Sequence, residues 1–318
     1  PLLMQLAALG GVFLLSAVLL TINVLVALAL DAASRSRKEA CFFALVLAAL
    51  LMISLAYGNY GYRRWRSSFP VPLKISMFQP GTNDFPQTFP IDVTAEFSRV
   101  KESLSAADPD LVVIPGKLFS KAISLADVAP PLLKSIFGSL MDRTDRIIVA
   151  NFSLKEQDGT YTSSLVAFRN AKVIGVYRKE VLMPVSDYRP SGLVGQVFSP
   201  EVYGRFSPWH GENGLFLPEF RIGGLICNEV FVARLAQKRS DEGSRLIIVS
   251  TNDAELSSSL VLVETLRMTR LRAVESRQWI LRAAKTGISA VINPAGEVVA
   301  SLPENKEGVI IFPDLQDR

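Results

Sequence analysis

Cys227 closes an apolar run, Gly223-Gly224-Leu225-Ile226-Cys227, and Asn228 and Glu229 follow it. A thiol at the end of a strand, presented at a turn, is placed to act as a nucleophile. A lone cysteine in such a run is otherwise a small buried apolar residue. Lys179 also ends an apolar run, Val176-Tyr177-Arg178-Lys179. An ammonium beside a thiol lowers the thiol pKa and holds a developing oxyanion; away from one it is only solvated. A thiol nucleophile also needs a base, to take its proton and to deliver it to the leaving group. The carboxylates near these runs are Asp187, Glu229 and Asp253, and the single histidine, His210, lies in the loop Pro208-Trp209-His210-Gly211-Glu212. Each signal is weak alone, and on position alone the inert reading of Cys227 is favoured over the reactive one.

Composition narrows the field. The chain has 318 residues, enough for one large domain or two small ones, and its 34 basic residues nearly balance its 30 acidic ones. No basic run interleaves with aromatics, so nucleic acid is not an expected partner. One histidine and two cysteines, Cys41 and Cys227, leave no Cys/His zinc site, and no metal or other cofactor is expected.

Hydrophobic residues make up 49% of the chain, and the excess sits in the first sixty residues. Leu9 to Leu30 carries no charge over a length that crosses a bilayer as a helix. Ala40 to Tyr57 is a second such run, and the polar loop Asp31 to Glu39 joins them. Tyr60, Tyr62 and Trp65 then stand among Arg63, Arg64 and Arg66, a composition suited to a membrane interface. A transmembrane hairpin over residues 1–66 is expected. Basic residues flank it at both the loop and the far end, so the positive-inside rule gives no orientation.

Ser67 to Pro72 reads as a linker, and residues 73–318 as one α/β domain. Strands are expected at Leu73 to Gln79, Leu111 to Pro115, Arg146 to Phe152, Phe220 to Cys227, Arg245 to Ser250, Gly287 to Asn293 and Val309 to Phe312. Ser163 to Phe168 and Val173 to Lys179 read as a hairpin about Asn170. Val93 to Ala107 and Ser259 to Ala284 read as helices. Continuous apolar strands alternating with helices imply sheets buried on both faces.

The order of the motifs is more specific than any one of them. Lys179-Glu180-Val181-Leu182-Met183-Pro184 leads to Asp187-Tyr188-Arg189-Pro190, then Gly224-Leu225-Ile226-Cys227-Asn228-Glu229, then Ser250-Thr251-Asn252-Asp253-Ala254. Arg272-Ala273-Val274-Glu275 and Gly287 to Val298 close the series, and Pro1 to Gly11 opens the chain. The set resembles the apolipoprotein N-acyltransferases of the carbon–nitrogen hydrolase (nitrilase) superfamily over almost the whole chain, as a partial or reduced member.

The resemblance implies a nitrilase-type αββα sandwich beside membrane helices, in the bacterial inner membrane with the domain facing the periplasm. It implies a ping-pong reaction. Cys227 takes an acyl chain from a phospholipid as a thioester and passes it to the amine of a diacylglyceryl-cysteine lipoprotein. Lys179 holds the oxyanion, and Glu229 matches the acidic residue two past the cysteine. Asp187, Asn228 and Trp209 are expected at the substrate, and Gly192 to Gly214 is expected to form an arm over the site. Two positions depart from the family. Gly116 follows Pro115 where the family has its catalytic glutamate, and Asn228 follows the cysteine where the family has an aromatic. With Gly116 in that place, Glu229 is one substitute base. The alternatives are an impaired relative that binds lipid or lipoprotein, and a membrane-anchored amidase or thioesterase.

Overall fold

The computed structural model describes residues 1–66, 73–81, 108–116, 122–128, 130–184, 186–188, 190, 206–216, 221–253 and 258–312. The linker 67–72, the expected helix 93–107 and part of the expected arm, 192–205, lie outside them.

Two sheets form the domain. The first has the order β13-β1-β2-β4-β5-β6, with β3 (Ile123–Ser124) alongside β4. Its strands are β1 (Ile75–Gln79), β2 (Leu111–Ile114), β4 (Ile147–Lys155), β5 (Tyr161–Arg169), β6 (Lys172–Arg178) and β13 (Gly308–Phe312). The second has the order β12-β11-β10-β9-β8-β7. It is built from β7 (Leu215–Phe216), β8 (Arg221–Ile226), β9 (Ser244–Thr251), β10 (Trp279–Ala284), β11 (Ser289–Ile292) and β12 (Val298–Leu302).

Alternation along each strand explains the layers. Ile75, Met77, Leu111, Val113, Ile147 and Val149 of the first sheet meet Ile222, Ile226, Leu246, Ile248 and Leu281 of the second in one core. The residues between them point the other way. Val112, Ile114, Ile148 and Phe168 pack under the helix α3 (Pro130–Phe137) through Leu133, Ile136 and Phe137. Ile247, Val249 and Ile280 pack under α4 (Ala233–Asp241) and α5 (Ser259–Ser276) through Leu235, Ala236 and Ala273. Each central strand is therefore apolar on both faces, which is why it reads as a continuous run. The result is the nitrilase-type αββα sandwich.

One expectation is corrected. The run from Ser259 to Ala284 is not a single helix. The helix stops at Ser276, Arg277 takes a left-handed conformation (φ 53°), and Trp279–Ala284 becomes a strand parallel to β9. Leu281, Arg282 and Ala283 favour helices, but tertiary pairing overrides that weak preference. Every residue from Trp279 to Ala284 is buried between neighbouring strands and helices.

At the N-terminus, α1 (Ala7–Ala33) and α2 (Arg37–Arg66) form a helical hairpin. They run beyond the charge-free stretches, because backbone hydrogen bonding continues where the side chains turn polar. Within α1 the helical path breaks at Gly10 and Gly11, and Gly11 has φ 65° and ψ −162°, a conformation open essentially to glycine alone. The most apolar stretches of the two helices are 0% and 6% buried. A core helix of a soluble protein would be covered, whereas these two are bare and are long and apolar enough to cross a membrane.

The hairpin is clamped to the domain by the opening motif. Gln5 Nε2 donates to Ala295 O (2.9 Å), and Arg277 donates to Gln5 Oε1 (2.7 Å). Arg66 pairs with Glu297 at 3.0 Å from the other helix. The turn Pro294–Glu297 and the end of α5 are thus gripped by the short 3-10 turn Leu3–Leu6 that leads into α1 and by the end of α2. Gln5→Leu removes two buried bonds and leaves Ala295 O and Arg277 short of partners, a loss of about 1–3 kcal/mol. Urea unfolding in detergent measures it.

Candidate active site

The C-terminal ends of the parallel strands β2, β8 and β9, and of the antiparallel edge strand β6, meet at one small cavity, the usual place for a site in an α/β fold. Gly116 comes after β2, Lys179 after β6, Cys227 after β8, and Ser250 and Asn252 lie at and beyond the end of β9. The β8–β9 register sets Ile226 opposite Ser250, so the two chains leave the sheet together. The cavity holds about 30 Å³, and Asn151, Ser163, Ser186 and Asp187 complete most of its wall.

Cys227 begins a short 3-10 turn, Cys227–Phe231, and has φ 54°. A cysteine in the left-handed region is strained by roughly 1–3 kcal/mol, the sort of cost that surrounding structure sustains at functional turns. The glycines before it make the turn's support possible. A Cβ on Gly224 would lie 2.4 Å from Tyr177 Cγ, with both atoms in the core. Gly224→Ala is expected to cost about 1–3 kcal/mol through overpacking. A lowered thermal midpoint checks this.

Lys179 and Asp187 form a buried ion pair, Nζ to Oδ2 at 2.5 Å, with both residues almost wholly inside. Met183 N also donates to Asp187 Oδ2 at 2.7 Å. The Lys179 backbone is fixed on both sides: its N–H donates to Ser163 O, and its carbonyl accepts from Trp209 N at 3.0 Å. A buried pair of this kind is costly to break, because the survivor is left charged in a dry site.

Glu229 is fully buried, yet it does not line the cavity. Its Oε1 accepts from Glu180 N and Val181 N, and its Oε2 accepts from Tyr177 Oη and Ile226 N, at 2.7–3.0 Å. Burial raises its pKa above the ordinary carboxylate value, while the three backbone N–H groups and Tyr177 pull it down. With four donors on two oxygens, Glu229 has no room for a substrate proton. The expectation of a substitute base there gives way to a brace that ties the bend after Lys179 to the turn of Cys227. Glu229→Gln puts an NH₂ against N–H donors and should lower stability by about 1–3 kcal/mol. Comparing denaturant midpoints for the two proteins tests it.

The remaining expected residues lie off the cavity. Asn228 Nδ2 donates to Val181 O at 3.4 Å, and the side chain is not among those lining the cavity. Trp209 holds Lys179 through its backbone, while its ring lies under the Arg178 guanidinium, 4.3 Å away, in a separate cleft of about 680 Å³. His210 is exposed and outside the cavity, so no Cys–His dyad forms. Asp253 pairs with Arg282 at 2.7 Å inside the domain.

Residues that spacing did not single out support the site. Asn213 acts as a strand substitute, accepting from Arg178 N and donating to Arg178 O. Arg239, fully buried, bonds Glu180 and Asn213 O beneath them. Nothing in the local sequence of Asn213 or Arg239 reports this, because their partners are distant in the chain.

A family model named Carbon-nitrogen hydrolase matches residues 116–316, more than half of the chain. The chain belongs to the carbon–nitrogen hydrolase family. Among curated proteins it is 28% identical to an apolipoprotein N-acyltransferase of Geobacter metallireducens, over 97% of this chain and 60% of the relative. One from Pseudomonas aeruginosa is 26% identical, over 77% and 48%. One from Allorhizobium ampelinum is 29% identical, over 97% and 60%. The chain thus spans 48–60% of the length of these relatives. Among solved structures, a carbon–nitrogen hydrolase from Helicobacter pylori superposes with a TM-score of 0.55 at 17% identity, covering 77% of this chain and 90% of that one. An amidase from Nesterenkonia sp. does so with 0.53 at 20% identity, covering 79% and 96%. These carbon–nitrogen hydrolases share the fold.

Proposed function

We propose that the chain works as an apolipoprotein N-acyltransferase-like enzyme, moving an acyl chain from a phospholipid to the terminal amine of a lipoprotein. The observation that carries this is the meeting of Cys227 with the buried Lys179–Asp187 pair in one cavity, on a domain clamped to a bare apolar hairpin. Similarity to enzymes of that name supports the choice of acyl donor and acceptor.

The chemistry runs in two halves. The Cys227 thiolate attacks the ester carbonyl of the phospholipid; the carbonyl oxygen becomes an oxyanion, and Lys179 Nζ stabilises it. The C–O bond breaks, the lysophospholipid leaves with a proton, and the acyl group stays as a thioester. The lipoprotein amine then attacks that thioester, its proton goes to the base, the C–S bond breaks and the thiolate returns. A cavity of about 30 Å³ is too small for an acyl chain, which would lie outside it. The hairpin would keep the domain at its substrate, in the inner membrane with the site on the periplasmic side.

Gly116 favours one competing reading, a disabled enzyme that binds lipid or lipoprotein. Glycine offers no carboxylate at that place in the wall, where Asp187 is the one carboxylate among the described lining residues. The experiment is transfer from labelled phospholipid to a synthetic diacylglyceryl-cysteine peptide in detergent. Peptide acylation that requires Cys227 supports the proposal. Binding of both lipids without transfer supports the disabled enzyme, and turnover of soluble amides without phospholipid supports an amidase.

A further inference from the structure

Two buried oxygens at the cavity, Ser250 Oγ and Asn252 Oδ1, have no hydrogen-bond partner among the described residues. Ser250 is fully buried, and its Oγ lies 3.3 Å from where a Cβ on Gly116 would stand. A buried polar atom left unpaired costs about 1–3 kcal/mol, and two at one cavity call for a group with protons to share. The cavity is about 30 Å³. A water needs about 10–15 Å³ of such space and two to four polar partners. The space is enough for a water beside Gly116, and these two oxygens are partners for it.

Asp187 is the one carboxylate among the described residues lining the same cavity. Its Oδ2 is taken by Lys179 Nζ and Met183 N, which leaves Oδ1. The ionisable groups packed against this turn from neighbouring segments, among them Tyr177, Glu180, Glu229, Arg239, Asp253, Arg272 and Glu275, do not line the cavity. Glu229 is saturated by its four donors, and Asp253 is held by Arg282.

We infer that one water at the Gly116 position, held by Ser250 Oγ and Asn252 Oδ1, carries the Cys227 proton to Asp187. The S–H bond breaks as the water oxygen takes that proton. The water releases another of its protons to Asp187 Oδ1 and is unchanged overall. The thiolate is left beside the Lys179 ammonium, and the net charge of the cavity stays the same. This rests on Cys227 being the nucleophile, but on no particular acyl donor.

The test uses the full chain with Cys41→Ser, so that Cys227 is the remaining thiol, and iodoacetamide as the probe. Alkylation is followed by intact mass across pH, with a thermal midpoint for each variant to confirm folding. Ser250→Ala removes one holder, and Gly116→Ala puts a methyl group into the space. Each should slow alkylation at neutral pH about tenfold, by moving its midpoint up by about one pH unit. The double variant should be no slower than the slower single, because both act on one water. Asp187→Asn should shift the profile the same way and Asp187→Glu should restore it. Native alkylation profiles for folded Ser250→Ala and Gly116→Ala overturn the relay, as do strictly multiplicative effects. Alkylation needs no lipid, so failure here leaves acyl transfer standing, and failure of acyl transfer leaves the relay standing.

Discussion

Gly116→Glu is expected to accelerate formation of the acyl-enzyme by about 10²–10⁴-fold, the usual contribution of a positioned general base. The first atom of the new side chain fits with little adjustment. The Gly116 backbone is not in the left-handed region, so a side chain adds no strain there. A Cβ would meet Ser250 Oγ at 3.3 Å and Asn151 Cγ at 3.6 Å, a fit that needs only a small shift of one hydroxyl. The new carboxylate would enter the space beside Ser250 and Asn252 and take the thiol proton directly, without the longer route through water to Asp187. Single-turnover acylation from phospholipid micelles, sampled by intact mass, measures the change. A variant that folds and acylates no faster would mean that proton removal from Cys227 is not the slow event.

Lys179→Met carries the second large effect. The substitution keeps much of the side-chain volume and removes the ammonium. Loss of one oxyanion donor typically lowers the rate by about 10²–10³-fold. The structure adds a stability cost, because Asp187 would remain in a nearly dry site with Met183 N as its remaining donor. Breaking a buried ion pair by removing one partner costs about 3–5 kcal/mol. Lys179→Met with Asp187→Asn should recover much of that stability and none of the activity. Denaturant unfolding and acylation rates, measured on the same samples, separate the two roles.

The buried strands were legible because the sandwich covers both faces of each central strand, which turns Leu111–Ile114 and Leu246–Val249 into unbroken apolar runs. The turn about Asn170 was legible for a local reason: Asn170 and Ala171 both take positive φ there. The strand Trp279–Ala284 was not, since Leu281, Arg282 and Ala283 carry helix preference and pairing with β9 and β11 on either side decides the matter. At the site, the ordered motifs brought out Cys227, Lys179, Asp187 and Gly116, and the fold gathers these four around one cavity. What the sequence did not disclose is which acidic residue faces it. Glu229 lies two residues from the cysteine yet turns into the core, because Tyr177 and three backbone N–H groups claim it. Asp187 lies forty residues upstream and still reaches the cavity through its pair with Lys179. Trp209 likewise looked like a substrate contact, but its backbone N–H secures Lys179 while its ring packs under Arg178.

The central claim is that Cys227 carries the acyl chain, and intact mass spectrometry of the protein after incubation with phospholipid micelles tests it most directly. The account predicts a mass increase of one acyl chain on the native chain, a larger fraction on Gly116→Glu, and none on Cys227→Ala. An unmodified mass for both the native chain and Gly116→Glu, with each folded and in contact with lipid, would contradict it.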